Sequence, residues 1–294
     1  MGRLIILVGL PGSGKSTYAK SFPKEAIGDV VWLSSDTIRK ELYGDESIQG
    51  DPNKVFQVLH QRVRTYLTGD STVIYDATNV NRKSRKQVIS IAKSLLAYIE
   101  AHIVWCPYEE CIRRDANRER TVGREVIDKF IKRWETPFFD EGIDKIKIVN
   151  TYDEFDRDEY TRRIISEMDI PHDNPHHTLG VLEHCNEALR LAMDRTTNIV
   201  TIAAAKWHDI GKPFTKFYAD ENKTHAHYYN HQNVGGYLVF GVMDIEDNPR
   251  LAIDVSWMIT NHMEPFFNST YYNKMTGILK DRINLLHSCD LDAH

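Results

Sequence analysis

Five short apolar runs, separated by stretches long enough for helices, occupy the first half of this chain. Such unbroken runs predict strands that are buried on both faces, as in a parallel sheet. Because helices are expected between consecutive strands, this half is predicted to be a doubly wound α/β domain. The predicted strands are Leu4–Val8, Val30–Ser34, Ser71–Asp76, Ala101–Trp105 and Ile143–Val149.

The strand pattern disappears after a break at Pro171–Pro175, and apolar residues then recur at helical spacing. We therefore expect the second half to be all-α. In the first half, Gly44–Val58 is rich in Gly, Asp, Pro and Asn and is expected to be a flexible loop on the substrate side, which passes into a helix around Phe56–Leu67. The predicted organisation is an α/β domain over residues 1–150, a connecting helix over 151–170 and an all-α domain over 171–294.

Composition and charge narrow the class of protein. With 294 residues, of which 41% are hydrophobic, the chain is long enough for two domains with real cores. Its formal net charge of −5 excludes a general polycation, so any contact with nucleic acid depends on local basic patches. The four cysteines include no C-x-x-C pair, and no apolar run approaches membrane-spanning length. We therefore expect a cytoplasmic protein with reduced thiols and no membrane association.

A glycine-rich stretch, Gly9–Thr17, follows the first predicted strand and fits the Walker A pattern G-x-x-x-x-G-K-[ST]. Glycines allow backbone N–H groups to wrap a polyphosphate. Lys15 is expected to reach the β- and γ-phosphates, and Ser16 is expected to bind Mg²⁺. The predicted nucleotide-binding residues of this loop are Gly9, Gly12, Ser13, Gly14, Lys15, Ser16 and Thr17.

Two aspartates stand where predicted strands end. Asp36 follows the second strand and is expected to accept the proton of a hydroxyl that attacks the γ-phosphate. Its alternative role is that of a helix N-cap. Arg39 lies one helical turn further on, where it could hold an anionic group of the acceptor. Asp76 ends the third strand and is placed to support Mg²⁺.

Basic residues follow the third and fourth strands. The run Arg82–Lys86 is typical either of a solvated helix face or of contacts with a phosphate backbone, and the pattern leaves both open. Arg114 and Arg118 are spaced to share one face of a helix. There they are expected to form a catalytic lid that neutralises charge on the transferring phosphoryl group.

Residues 1 to about 150 resemble the P-loop polynucleotide kinase family, the 5′-hydroxyl kinases of phage and bacterial RNA-repair enzymes. The resemblance implies that Asp36 is the general base and that Arg39 contacts the acceptor phosphate. It implies that Arg114 and Arg118 bind the phosphates of ATP (or another nucleoside triphosphate) with Mg²⁺, and that the sheet has the order 2-3-1-4-5 with a helical lid. The matching motifs are Gly9–Thr17, Ser34–Arg39, Asp76–Asn79 and Arg114–Arg118.

Histidines and aspartates mark the second half. His208 and Asp209 end a predicted apolar helix, where burying an aspartate beside a histidine is costly unless a cation binds both. His184 and Asp290 lie on other predicted helices. Imidazoles and carboxylates that converge from separate helices favour a divalent transition metal, namely Mn²⁺, Ni²⁺, Co²⁺, Fe or Zn²⁺.

Residues 172–294 resemble the HD phosphohydrolase superfamily. The resemblance implies that a metal binds the matching His184, His208, Asp209 and Asp290. In some members of the superfamily, histidines matching His231 and His262 bind a second metal or the substrate phosphate. Lys212 is an expected phosphate contact, and His177 is a weaker candidate. The matching motifs are Val181–His184, Trp207–Lys212, Asn230–Gly235 and Cys289–His294.

Taken together, the two halves predict a bifunctional end-healing enzyme that acts on RNA or DNA ends. The first half would phosphorylate a 5′-hydroxyl, and the second would remove a 3′-phosphate or a 2′,3′-cyclic phosphate, which leaves ends suited to an RNA ligase. Bacterial end-healing proteins that join an HD module to such a kinase are similar, although they place the HD module first. The alternatives are a small-molecule kinase fused to an HD nucleotidase, and a non-enzymatic regulatory protein gated by a nucleoside triphosphate.

Overall fold

The computed structural model describes residues 1–22, 29–173, 178–219 and 225–293. The chain forms two compact units. The N-terminal unit comprises residues 1–130 and 137–153, and the C-terminal unit comprises residues 131–136 and 154–294. The domain limits that we expect from the sequence stay a prediction.

A parallel sheet forms the centre of the N-terminal unit, and its described strands number five. Their order is β2-β3-β1-β4-β5, which confirms both the α/β class and the predicted order 2-3-1-4-5. The side chains of Leu4 to Val8 on the central strand are completely buried, as expected for a strand covered on both faces. The strands are β1 Arg3–Val8, β2 Val30–Ser34, β3 Thr72–Asp76, β4 Tyr98–Trp105 and β5 Lys145–Asn150.

The loop predicted after the second strand is shorter in the structure. The loop expected over Gly44–Val58 gives way to a helix that begins at Pro52. Proline is favoured in the first helical turn, and the Asp51 side chain caps the helix by accepting a hydrogen bond from Asn53 N at 2.9 Å. The helices are α1 Lys15–Ser21, α2 Ser35–Tyr43, α3 Pro52–Thr68, α4 Arg82–Ser94, α5 Tyr108–Ala116 and α6 Arg124–Ile131, with a 3₁₀ turn at Phe139–Glu141.

The C-terminal unit is helical, with one exception to the all-α prediction. Phe217–Tyr218 (β6) and Ala226–His227 (β7) pair as a short antiparallel ladder, and aromatic residues favour such pairing. Among the described residues, no helix has the length and apolar character needed to cross a bilayer. The helices are α7 Arg157–Met168, α8 Val181–Arg195, α9 Ile199–Trp207, α10 Lys212–Thr215, α11 His231–Leu238, α12 Pro249–Asn261, α13 Glu264–Phe267, α14 Thr270–Lys274 and α15 Gly277–Asp292.

Candidate functional sites

The glycine-rich loop connects β1 to α1, as the Walker A pattern predicts. Gly12 has a φ of +85°, and a Cβ atom added there would lie 2.2 Å from Cys111 O, so no larger residue fits without a shift. Lys15 Nζ donates hydrogen bonds to Gly9 O at 2.9 Å and to Leu10 O at 2.8 Å. These bonds hold the ammonium group across the loop. Burial lowers the pKa of Lys15.

Ser16 and Asp76 come together beside this loop. Ser16 Oγ donates to Asp76 Oδ2 at 3.0 Å, and Trp32 Nε1 donates to the same oxygen at 3.2 Å. Burial raises the pKa of Asp76, while the charge of Lys15 opposes that rise. The hydroxyl and the carboxylate that we expect to support Mg²⁺ are therefore in contact with each other.

Asp36 lies in the first turn of α2, and it is not the N-cap. The N-cap is Ser34, whose hydroxyl accepts a hydrogen bond from Asp36 N at 3.2 Å, so the capping alternative is wrong. Arg39 donates to Asp36 Oδ1 at 2.6 Å. Arg120 lies 3.9 Å from the other carboxylate oxygen of Asp36 and 3.3 Å from Glu46. The Asp36 side chain is 49% exposed, so its carboxylate is accessible from solvent.

Arg114 and Arg118 do not share a helical face, because α5 ends at Ala116. The buried carboxylate of Asp115 accepts hydrogen bonds from Val122 N and Gly123 N, which folds the following residues back as a loop. Arg118 lies in that loop, and its charge adds to the effect of burial in lowering the pKa of Lys15.

Arg114 has protein partners of its own. It donates to Glu110 Oε1 at 2.6 Å and to Thr151 O at 2.7 Å. The role of Arg114 and Arg118 as a catalytic lid stays a prediction.

The basic run at the start of α4 is divided between two environments. Arg85 is completely buried and donates to both carboxylate oxygens of Glu141, at 2.9 and 2.7 Å, and to Asn79 O at 2.9 Å. Arg85 is therefore neither on a solvated face nor available to a phosphate backbone. Lys83 and Lys86 are exposed, so both a solvated helix face and contacts with a phosphate backbone remain open for them.

In the C-terminal unit, four buried histidines whose Nε2 atoms face Asp209 or Asp290 share one arrangement of their rings, which buried His172 also has. Each Nδ1 atom lies 2.7–2.8 Å from a backbone carbonyl oxygen. Because a carbonyl can only accept, Nδ1 carries a proton, and Nε2 is the ring atom that can offer a lone pair to a cation. The pairs are His184 with Ala293 O, His208 with Ala205 O, His231 with Tyr228 O and His262 with Ile259 O.

The Nε2 atoms of His184 and His208 converge on Asp290 and Asp209. His184 Nε2 and His208 Nε2 are 3.1 Å apart. They lie 2.9 and 3.3 Å from Asp290 Oδ1, and 3.7 and 3.4 Å from Asp209 Oδ2. Lone pairs and carboxylate oxygens repel at such distances, and a cation among them turns the repulsion into ligation.

The other two Nε2 atoms converge on the second oxygen of Asp209. Asp209 Oδ1 lies 3.2 Å from His231 Nε2 and 3.9 Å from His262 Nε2, and these two nitrogen atoms are 3.2 Å apart. Burial, with His231 and His208 nearby, lowers the pKa of His262 to about 3, so that ring is neutral. Asp209 thus connects two groups of nitrogen and oxygen donors, and this donor chemistry fits divalent transition metals.

Lys212 faces the same aspartate. Its Nζ lies 2.6 Å from Asp209 Oδ2, though not in the direction of a hydrogen bond, and 3.0 Å from His172 Nε2. Although burial opposes it, the positive charge of Lys212 holds the pKa of Asp209 well below its usual value.

His172 is a further buried histidine beside this cluster, and no motif in the sequence marks it as a site residue. It is buried, and its Nδ1 lies 2.7 Å from Leu179 O. The only signal in the sequence is its place in a His-Asp pair within the predicted break. His177 lies outside the described residues.

Residues 4–137 match the AAA domain family AAA_33. The chain is 30% identical over 143 residues to L-seryl-tRNA(Sec) kinase of Methanococcus maripaludis, a match that covers 46% of this chain and 53% of the relative. It is 26% identical over 146 residues to the protein kti12 of Schizosaccharomyces pombe, covering 46% of this chain and 52% of the relative. The chain therefore spans about half the length of the curated relatives it matches.

Solved structures give weaker similarities. The Pnkp1/Rnl/Hen1 complex matches with 29% identity and a TM-score of 0.35, over 43% of each chain. Chaetomium thermophilum Kti12 in complex with ADP-AlF3 matches with 20% identity and a TM-score of 0.42, over 54% of this chain and 94% of that chain. The family match, the parallel sheet and the Walker loop together make the N-terminal unit a P-loop, kinase-like domain that binds a nucleoside triphosphate.

Proposed function

We propose that this chain is a bifunctional nucleic-acid end-healing enzyme. The N-terminal unit phosphorylates the 5′-hydroxyl of a polynucleotide with ATP and Mg²⁺. The C-terminal unit is an HD-type phosphohydrolase that removes a 3′-phosphate or a 2′,3′-cyclic phosphate. The observation that carries the proposal is the convergence of four histidine Nε2 atoms on Asp209, since a fold without a metal-dependent activity gains nothing from this costly arrangement.

In the kinase reaction, Lys15 and the backbone of the glycine-rich loop hold the phosphates of ATP. Ser16 and Asp76 would hold Mg²⁺, which supplies positive charge to the phosphoryl oxygens. Asp36 accepts the proton of the 5′-hydroxyl. The oxygen of that hydroxyl then bonds to the γ-phosphorus, and the bond between the γ-phosphorus and the β-phosphate oxygen breaks. Arg39, already bonded to Asp36, orients that carboxylate and lies beside the acceptor.

A relative supports an acceptor hydroxyl that is attached to RNA. The similar L-seryl-tRNA(Sec) kinase is named for a substrate joined to tRNA. The exposed Asp36 carboxylate has the access that a large acceptor needs. These observations favour a polynucleotide over a free small molecule as the acceptor.

In the hydrolytic reaction, His184, His208 and Asp290 would hold one metal ion together with Asp209 Oδ2, and Asp209, His231 and His262 would hold a second. When bound, a metal such as Mn²⁺, Ni²⁺, Co²⁺, Fe or Zn²⁺ supplies a Lewis acid that activates water and withdraws charge from the phosphoryl group. The backbone carbonyls fix the tautomer and orientation of each imidazole. Lys212 neutralises a phosphoryl oxygen.

The test uses one oligonucleotide that carries a 5′-hydroxyl and a 3′-phosphate, labelled internally. It is incubated with ATP and each of several divalent metals, and both ends are then resolved. We expect a 5′-phosphate and a 3′-hydroxyl, which are the ends that a nucleic-acid ligase joins. Parallel reactions compare RNA with DNA, and free nucleosides with oligonucleotides. Phosphorylation of nucleosides alone would favour the small-molecule alternative, and no change at either end would contradict the proposal.

A further inference from the structure

Three aromatic rings cluster on the β6–β7 ladder of the C-terminal unit. The ring centroids of Phe217, His227 and Tyr229 are 5.3–5.5 Å from one another, and the planes of His227 and Tyr229 are within 14° of parallel. Phe217 is 42% exposed and Tyr229 is 64% exposed. The three rings therefore contact one another, while much of the surface of Phe217 and Tyr229 faces solvent.

Pairing within the ladder accounts for only part of this cluster. Phe217 and His227 are direct cross-strand partners, and such pairs stabilise short ladders. Tyr229 lies beyond the end of β7, and yet its ring completes the cluster. A third ring that remains largely exposed adds little to the stability of the ladder, which points to a ligand that stacks on it.

The same short segment belongs to the histidine–aspartate cluster. Tyr228, between His227 and Tyr229, accepts a hydrogen bond from His231 Nδ1 through its backbone oxygen at 2.8 Å. Its hydroxyl donates to His172 O, and its ring centroid lies 5.5 Å from Lys212 Nζ. Through these contacts Tyr228 joins the cluster, while its two neighbours in sequence, His227 and Tyr229, belong to the ring surface.

We propose that Phe217, His227 and Tyr229 bind the nucleobase of the terminal nucleotide whose 3′-phosphate occupies the histidine–aspartate cluster. The proposal rests on the function proposed above and names its substrate class: single-stranded ends that carry an unpaired terminal base. Aromatic side chains stack on nucleobases with little regard to sequence, because every base has a π-face. A base inside a duplex is not free to stack in this way, so blunt duplex ends are poorer substrates.

A binding experiment tests the ring surface without hydrolysis. The probe is a single-stranded oligonucleotide with 2-aminopurine as its 3′-terminal base, whose fluorescence falls when the base stacks. We expect the parent protein to quench this probe, and the double variant F217L/Y229L to bind it about fivefold or more weakly, the lower end of the range for loss of base stacking. Tyr229→Trp should retain the quenching, whereas Tyr98→Leu, at an exposed tyrosine of the N-terminal unit, should behave as the parent. Unchanged quenching by F217L/Y229L would overturn the proposal.

A kinetic comparison separates this proposal from the proposed function. Two oligonucleotides are compared that differ only in whether the nucleotide bearing the 3′-phosphate has a base. The parent should prefer the base-bearing substrate in kcat/KM, and F217L/Y229L should reduce that preference about fivefold or more, mainly through KM. Hydrolysis with an unchanged preference would refute base binding alone. No hydrolysis by the parent, with quenching that still depends on the rings, would refute the hydrolytic function alone.

Discussion

Asp36 combines a charged partner with an accessible position, and this makes its proposed role testable. Arg39 keeps the carboxylate oriented, while the side chain remains 49% exposed. Asp36→Ala is expected to lower 5′-phosphorylation by about a hundredfold or more, the scale of losing a general base. ATP binding, measured by calorimetry, should persist because Asp36 does not belong to the phosphate-binding loop. Asp45→Ala is the matched control, and near-parental phosphorylation by the Asp36 variant would refute the role.

Asp209 is the residue on which both groups of histidines depend. Its two carboxylate oxygens face different pairs of imidazoles, so loss of its side chain affects both groups. Asp209→Ala is expected to lower the bound metal, measured by mass spectrometry of the purified protein, and to reduce 3′-end hydrolysis about a hundredfold or more. The exposed Asp194→Ala is the control. Parental metal content together with parental hydrolysis in the Asp209 variant would contradict the proposed metal site.

At the scale of elements, the glycine-rich loop depends on its close approach to α5. Gly12 and Gly123 share a φ of +85°, but only at Gly12 would a Cβ atom meet a neighbour, Cys111 O at 2.2 Å. Gly12→Ala is therefore expected to weaken nucleotide binding about tenfold or more, because it adds a backbone clash to the strain of the left-handed conformation. Gly123→Ala carries the strain alone and should bind nucleotide nearly as the parent does. Equal affinities of the parent and Gly12→Ala would show that the loop adjusts freely.

The attachment of α4 to the 3₁₀ turn Phe139–Glu141 depends on a buried ion pair. Arg85 is fully buried, and Glu141 is its partner through two hydrogen bonds. Arg85→Ala leaves the Glu141 carboxylate buried without its counter-charge, and such losses cost about 3–5 kcal/mol in the free energy of unfolding. Urea denaturation should report this loss for the N-terminal unit. Lys86→Ala on the exposed face of the same helix should change that free energy by less than about 0.5 kcal/mol.

At the scale of the whole molecule, the two proposed activities belong to different units with separate sets of residues. Lys15→Ala is expected to abolish 5′-phosphorylation, through loss of the contact with the β- and γ-phosphates, and to leave 3′-end hydrolysis within about twofold of the parent. His184→Ala should have the converse effect, because it removes a metal ligand. Assays of both ends on one substrate measure the two effects together. Loss of both activities in either variant would contradict separate sites.

The sequence by itself determined the elements whose causes are local. An unbroken apolar run is sufficient to specify a buried strand, and the glycines of Gly9–Thr17 specify a turn that larger residues cannot adopt. The resemblance to P-loop kinases added the strand order, which the structure confirms. The apolar helix predicted before His208 and Asp209 is likewise present, as α9, because its pattern is local.

Only the tertiary structure decided features whose partners lie far apart along the chain. In the folded chain Arg85 pairs with Glu141 and does not face solvent. Helix α5 ends before Arg118 because Asp115 accepts hydrogen bonds from backbone groups of the following loop. The fold also places His172 against Lys212, a contact that no local pattern indicates. The physical reason is that a charged or polar side chain has many possible partners in the sequence. Once the side chain is buried, the favoured partner is the one that satisfies its hydrogen bonds and its charge.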